Sequence, residues 1–195
     1  VAPPPSKSPF TDVSTKHRFY THIAWMHTTG IAVGTKTNKG TVYGPDAPVN
    51  RGAMAAFLYR LDALKSYSAP ARTPFIDVEA SHLFYKPISW MADSGLSVGV
   101  STSKGLAYAP SEPVNRGAMA AFIYRLEAPS GYTPPKVSPF ADVPTTNKFY
   151  RPIAWMYDVG IASGTATSNG RMYHPESPVN RGAMAAFLYR LETGG

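Results

Sequence analysis

The sequence predicts a mainly α fold: three tandem helix-loop-helix repeats closed into a bundle with pseudo-threefold symmetry. Three observations carry that prediction. Phe10, Phe75 and Phe140 lie 65 residues apart, and the same step relates Tyr20, Tyr85 and Tyr150, then Tyr43, Tyr108 and Tyr173, with no insertion. Each copy holds two short stretches with helical spacing, separated by a glycine-punctuated loop. Finally, the outer copies are as regular as the middle one. An open solenoid would carry atypical capping repeats at its ends, so closure into a ring is expected.

The elements follow in order within each copy. A Phe-x-Asp-Val opening leads to a first helix over about residues 20–29. Pro87 and Pro152 suit its first turn, where a missing N–H costs nothing. Gly30, Gly95 and Gly160 fall where a left-handed C-terminal cap belongs. A hairpin-like turn is expected around Asn38, Lys39 and Gly40, ahead of Tyr43. Pro45 and Pro48 then keep the chain extended. Asn50 is a good N-cap for a second helix that runs to about residue 61. Met54, Phe57, Leu58 and Leu61 form one apolar stripe along it, and Ala53, Ala55 and Ala56 raise its helix propensity. The resulting division is a proline-rich linker over 1–9 and repeats over 10–65, 66–130 and 131–195. The joins at 63–74 and 128–139 read as connectors. The linker reads as a stiff spacer cut from a longer protein, so the chain is expected to be a monomeric module of that protein.

Composition narrows the function classes. Hydrophobic residues make up 44% of the 195 residues, enough for a packed core, and no apolar run reaches the roughly 20 residues of a membrane-spanning helix. Neither a signal peptide nor a membrane insertion is expected. Without cysteine there is no disulfide framework and no thiolate nucleophile. The net charge of +7 suits an anionic partner. It is distributed unevenly: residues 1–65 carry +5, 66–130 carry 0 and 131–195 carry +2. Lys7, Lys16, Lys36 and Lys39 are scattered as on a solvated face, not set in the continuous basic stripe of a nucleic-acid binder. Nucleophile-elbow and phosphate-loop motifs are absent, and the acids offer no odd pair of the kind a glycosidase needs. Catalytic sites usually break a repeat's symmetry; the reading is therefore non-enzymatic, with no cofactor. Of the five histidines only His17 and His82 are equivalent, and His22 and His27 are five apart, so no metal site is expected.

Four features taken together resemble the S-layer homology family, in the form found in wall-associated actinobacterial proteins. They are Phe10, Asp12 and Val13; Gly30, Ile31 and Gly34; Tyr43 and Pro45; and the run from Val49 to Leu61. Each recurs in all three copies, with Leu96 in place of Ile31 and Ile123 in place of Leu58 in the second. The resemblance implies a three-pronged pseudo-trimer, extracellular and attached to the cell wall, whose inter-repeat grooves bind an anionic secondary cell-wall polysaccharide. It also implies that the arginine opening the second helix (here Arg51, Arg116 and Arg181) reaches an acidic group of that polymer. Better-known members begin this helix Thr-Arg-Ala-Glu. Here Asn50 stands in place of the threonine and Ala53 in place of the glutamate, so the reciprocal capping box is lost. A protein-interaction or adhesion role on the bacterial surface is the alternative.

The candidate binding residues come from the same positions. Arg51, Arg116 and Arg181, followed by Gly52, Gly117 and Gly182, put a guanidinium beside a helix N-terminus, where free N–H groups would suit an anion. Alternatively each arginine braces the fold against a neighbouring carboxylate. Glycine inside a helix further suggests that something approaches the backbone closely. Asp12, Asp77 and Asp142 either accept backbone N–H bonds as in an Asx-turn or receive a sugar hydroxyl. Trp25, Trp90 and Trp155 either pack between elements or stack on a sugar ring. The unequal charges of the copies predict grooves of unequal strength.

Overall fold

The computed structural model describes residues 2–62 and 66–194. Val1, at the head of the proline-rich linker, residues 63–65, at the start of the first connector, and Gly195 lie outside the described residues.

Each copy folds as helix, two-stranded antiparallel hairpin, helix. The first copy has α1 (Tyr20–Thr28), β1 (Thr35–Thr37), β2 (Gly40–Val42) and α2 (Arg51–Asp62). The second has α3 (Tyr85–Asp93), β3 (Val100–Thr102), β4 (Gly105–Ala107) and α4 (Arg116–Glu127). The third has α5 (Tyr150–Asp158), β5 (Thr165–Thr167), β6 (Gly170–Met172) and α6 (Arg181–Thr193). The loop expected to be hairpin-like is a true ladder. Thr35 pairs with Val42 and Thr37 with Gly40, and the Thr37 hydroxyl closes the turn on the Gly40 carbonyl at 2.7 Å.

Local chemistry sets the helix ends. Gly30, Gly95 and Gly160 adopt φ of +77°, +72° and +79°, the left-handed conformation that stops the first helix of each copy. Asn50, Asn115 and Asn180 each accept the N–H three residues on at 2.7 Å, capping the second helix. The apolar stripe on α2 is buried at Met54, Phe57 and Leu58, together with Ala55 and Ala56, while Leu61 is half-buried.

The chain forms two compact units, one spanning Val49–Val114 and the other joining the chain up to Pro48 with the chain from Asn115 onward. Packing does not respect the copies. In the smaller unit α2 of the first copy packs on α3 of the second. In the larger unit α4 packs on α5, and α6, the last helix, packs on α1, the first. Apolar side chains at equivalent positions make the core of each unit: Phe75, Val78, Ile88 and Met91 in the smaller, Phe140, Val143, Ile153 and Met156 in the larger. Copies too small to bury their helices alone are stabilised by exchanging them with neighbours.

Each helix pair has an aromatic beneath a glycine. A Cβ added at Gly182 would stand 2.3 Å from Cδ2 of Phe19, and the same distance separates Gly117 from Phe149 and Gly52 from Phe84. The backbone approach suggested by glycine inside a helix is thus made by a phenylalanine ring. Ala would gain about 1 kcal/mol in helix propensity, but overpacking of this kind costs about 1–3 kcal/mol. Gly182→Ala is expected to lower stability by up to about 2 kcal/mol, measured by denaturant unfolding.

His22 lies in the α1/α6 seam, edge-on to Tyr189 with centroids 5.0 Å apart, and its Nδ1 is buried without a hydrogen-bond partner. Burial first, and Arg190 second, hold its imidazole below the usual range. The unfolded chain therefore takes up this proton before the folded one. Stability from this site is complete above the ordinary value of about 6.5 and is lost as pH falls below it. The equivalent positions are Pro87 and Pro152. His22→Pro is expected to reduce the loss of thermal stability between neutral and acid pH, read from melting temperatures across that range.

Candidate functional site

One arrangement recurs at the start of every second helix. The Tyr43 hydroxyl donates to the Arg181 carbonyl at 2.9 Å, and Arg181 Nε donates back to the Tyr43 carbonyl at 2.7 Å. Tyr108 with Arg51 repeats the exchange at 3.1 and 2.6 Å, and Tyr173 with Arg116 at 3.0 and 2.7 Å. Each guanidinium carbon also stands 4.7 or 4.8 Å from its tyrosine's ring centroid. A half-buried cation–π contact of this kind contributes about 1 kcal/mol.

The aspartates hold the other side of the same tyrosines. Asp12 accepts the N–H groups of Tyr43 at 2.8 Å and Gly44 at 2.7 Å. Asp77 and Asp142 do the same for Tyr108 with Ala109 and for Tyr173 with His174. These carboxylates do accept backbone N–H bonds, but from partners 31 and 32 residues away and not from a local Asx-turn. They tie the opening of each copy to the loop after its hairpin.

The structure corrects one expectation outright. The first N–H groups of the second helices are not open to a ligand. In α6, Arg181 N–H donates to the Ala47 carbonyl at 2.9 Å and Gly182 N–H to the Pro45 carbonyl at 2.8 Å. Ala183 N–H goes to the Asn180 side chain and Met184 N–H to the Asn180 carbonyl. Equivalent bonds seal α2 and α4. With all four orphan donors satisfied, any anion at these sites meets side chains only.

Within the larger unit such side chains converge on a groove of about 330 Å³. Arg116 enters it from the start of α4, Arg190 from α6, Arg18 from the turn before α1 and His174 from the loop after β6. Among the described residues, no acidic side chain lines it. Arg116 lies over both the Tyr173 ring and the Phe187 ring, at 4.7 and 5.3 Å, so only its outer nitrogens face the groove. Arg190 Nη1 donates to the Ile161 carbonyl at 3.1 Å, and exposed Arg18 lies 4.6 Å over Phe19. Phe19 is both a wall of the groove and the ring seated on Gly182. A second hollow in the same unit, of about 410 Å³, sets Arg125 and Lys148 beside Phe149.

His174 is the groove residue that holds a side chain in the left-handed region. It sits at φ +60°, where its counterparts are Gly44 at +71° and Ala109 at +57°. Holding a side chain in that region costs about 1 kcal/mol or more. Its Nδ1 lies 3.7 Å from Asp142 Oδ2, and its side chain is half exposed.

The predicted residues thus separate. Arg116, Asp142 and Gly182 lie in or beside the groove of the larger unit; Arg181, Asp12 and Gly117 lie elsewhere in that unit, and Arg51, Gly52 and Asp77 lie in the smaller unit. The tryptophans lie elsewhere, on helix seams. Trp90 is edge-on to Tyr59 at 5.7 Å and Trp155 to Tyr124 at 5.6 Å, both buried, with Tyr67 and Tyr132 packed on those tyrosines. The third tyrosine's place is Ala2 in the first copy, which leaves Trp25 half-buried beside a hollow walled by Pro3, Pro4 and Pro5. Sequence reading missed Arg18, Arg190 and His174. Arg190 recurs as Arg60 and Arg125, so the repeat already marked it; His174 was marked by breaking the repeat.

The fold and site define a class of small repeat module in which, in the larger unit, helix pairs frame cationic grooves. Two segments of the chain, residues 9–55 and 139–185, match the S-layer homology domain. Domains of that family are in general non-catalytic modules that anchor proteins at the cell surface and bind cell-wall polymers. No helix among the described residues is long and apolar enough to cross a membrane. No curated protein matches the chain.

Burial raises the hydroxyl pKa of Tyr43, Tyr108 and Tyr173 far above the usual value, and the arginine beside each only partly offsets this. The folded state therefore keeps protons that the unfolded state releases. Stability from these sites is present below the ordinary tyrosine value of about 10 and is lost as pH rises beyond it. Alkaline titration is expected to show the phenolate absorbance of these tyrosines appearing together with loss of helical circular dichroism.

Proposed function

We propose that this chain is a non-catalytic anchoring module, extracellular and wall-associated, that holds its parent protein by binding an anionic secondary cell-wall polysaccharide. The observation that carries this reading is the groove of the larger unit, where three guanidinium groups and an imidazole meet with no acid among the lining residues. A groove of that size lies in the range of small-ligand sites. The match of two segments to the S-layer homology domain supports the same reading.

In this proposal all three copies are modules of one kind, the residues 66–130 included, and they close into a three-pronged pseudo-threefold bundle that acts as a monomer. The packing of α6 on α1 supports closure. Arg51, Arg116 and Arg181 have two roles: Nε braces the tyrosine loop and the outer nitrogens meet the polymer. Asp12, Asp77 and Asp142 shape the grooves by holding the loop. Trp25, Trp90 and Trp155 serve the helix seams.

The test is binding to purified wall sacculi at low salt. A charge-assisted hydrogen bond contributes about 1.5–3 kcal/mol, so an Arg18→Gln, Arg116→Gln double variant is expected to bind about tenfold more weakly or worse. Arg18 is exposed, so Arg18→Gln alone should weaken binding while leaving the melting temperature unchanged. Undiminished binding of the double variant overturns the assignment.

A further inference from the structure

We infer that the groove of the larger unit takes a phosphate-bearing segment of its polymer, held among Arg18, Arg116, Arg190 and His174, and that His174 sets this preference; the inference rests on the anchoring function proposed above. Its first ground is the direction from which the donors come. Four separate chain segments contribute them: the turn before α1, the start of α4, the body of α6 and the loop after β6. A planar carboxylate is satisfied by one guanidinium fork. A phosphate presents its oxygens tetrahedrally and suits donors arriving from several sides.

The second ground is charge. Three guanidiniums with no acidic lining residue leave a surplus that a single carboxylate does not balance. Asp142, whose Oδ2 lies 3.7 Å from His174 Nδ1, already accepts the N–H groups of Tyr173 and His174. A polymer with phosphates at intervals supplies repeated negative charge along the groove and its rim.

The third ground is where the copies differ. At the position of His174 the other copies have Gly44 and Ala109, and at the position of Arg18 they have Leu83 and Lys148. Among the described residues, only the third copy has an imidazole at this left-handed position, and His174 lines the groove. Glycine fits that backbone without strain, so a His174→Gly variant keeps the fold while removing the ring.

The experiment measures the intact chain at low salt against poly(glycerol phosphate) and against polygalacturonate matched in charge density, with wall sacculi alongside. Tighter binding to the phosphate polymer by about tenfold or more is expected. His174→Gly should bring that preference down severalfold, with the melting temperature unchanged or raised. Equal or tighter binding to polygalacturonate, or a His174→Gly variant that keeps the full preference, overturns the inference. Binding to sacculi but to neither polymer overturns it too while leaving wall anchoring intact, whereas failure on sacculi as well overturns both.

Discussion

The reciprocal contact between a tyrosine and an arginine from different copies is the interaction on which the rest depends. Its hydroxyl closes on the arginine's carbonyl, the arginine's Nε closes on the tyrosine's carbonyl, and the guanidinium covers the ring. Each bond alone is worth about 1 kcal/mol net, or somewhat more where the charge takes part. Together they fix two backbone segments and one side chain in a single geometry. Because Tyr43 belongs to the first copy and Arg181 to the third, the contact ties chain segments 138 residues apart within the larger unit.

That lock decides how the site can work. The loop that carries the tyrosine also supplies the carbonyls that seal the helix N-terminus: Pro45 and Ala47 for α6, Pro175 and Ser177 for α4. A helix start that reads as an anion site in the sequence is spent on structure. What remains for a ligand is the outer face of the guanidinium, with cations brought in by neighbouring elements. Arg18 and Arg190 matter for this reason, although neither stands next to Arg116 in the chain. The strained residue of the groove, His174, is held in place by Asp142 through its own N–H, so the tether that builds the scaffold also presents the side chain that distinguishes one copy.

Much of this is legible in the sequence alone. The helix ends at Gly30, Gly95 and Gly160 and the caps at Asn50, Asn115 and Asn180 depend on local chemistry, and the structure has them at those positions. The glycines after the arginines were readable as points of close approach, but not what approaches, since Phe19 lies more than a hundred residues from Gly182. The aspartates were readable as backbone acceptors, but their partners are across the hairpin and not in the adjacent turn. His174 carries no motif, and what sets it apart, a left-handed backbone position at the groove, is a tertiary feature.

By itself, then, the sequence determined the repeat, its helices and turns, and the residue types at each helix start, because propensity, capping and periodicity act over a few residues. Only the tertiary structure decided that helices pair across copies, that the N-terminal N–H groups are already taken, and that Arg18, Arg116, Arg190 and His174 face one groove. Those outcomes depend on contacts between segments far apart in the chain, whose geometry the order of residues does not carry.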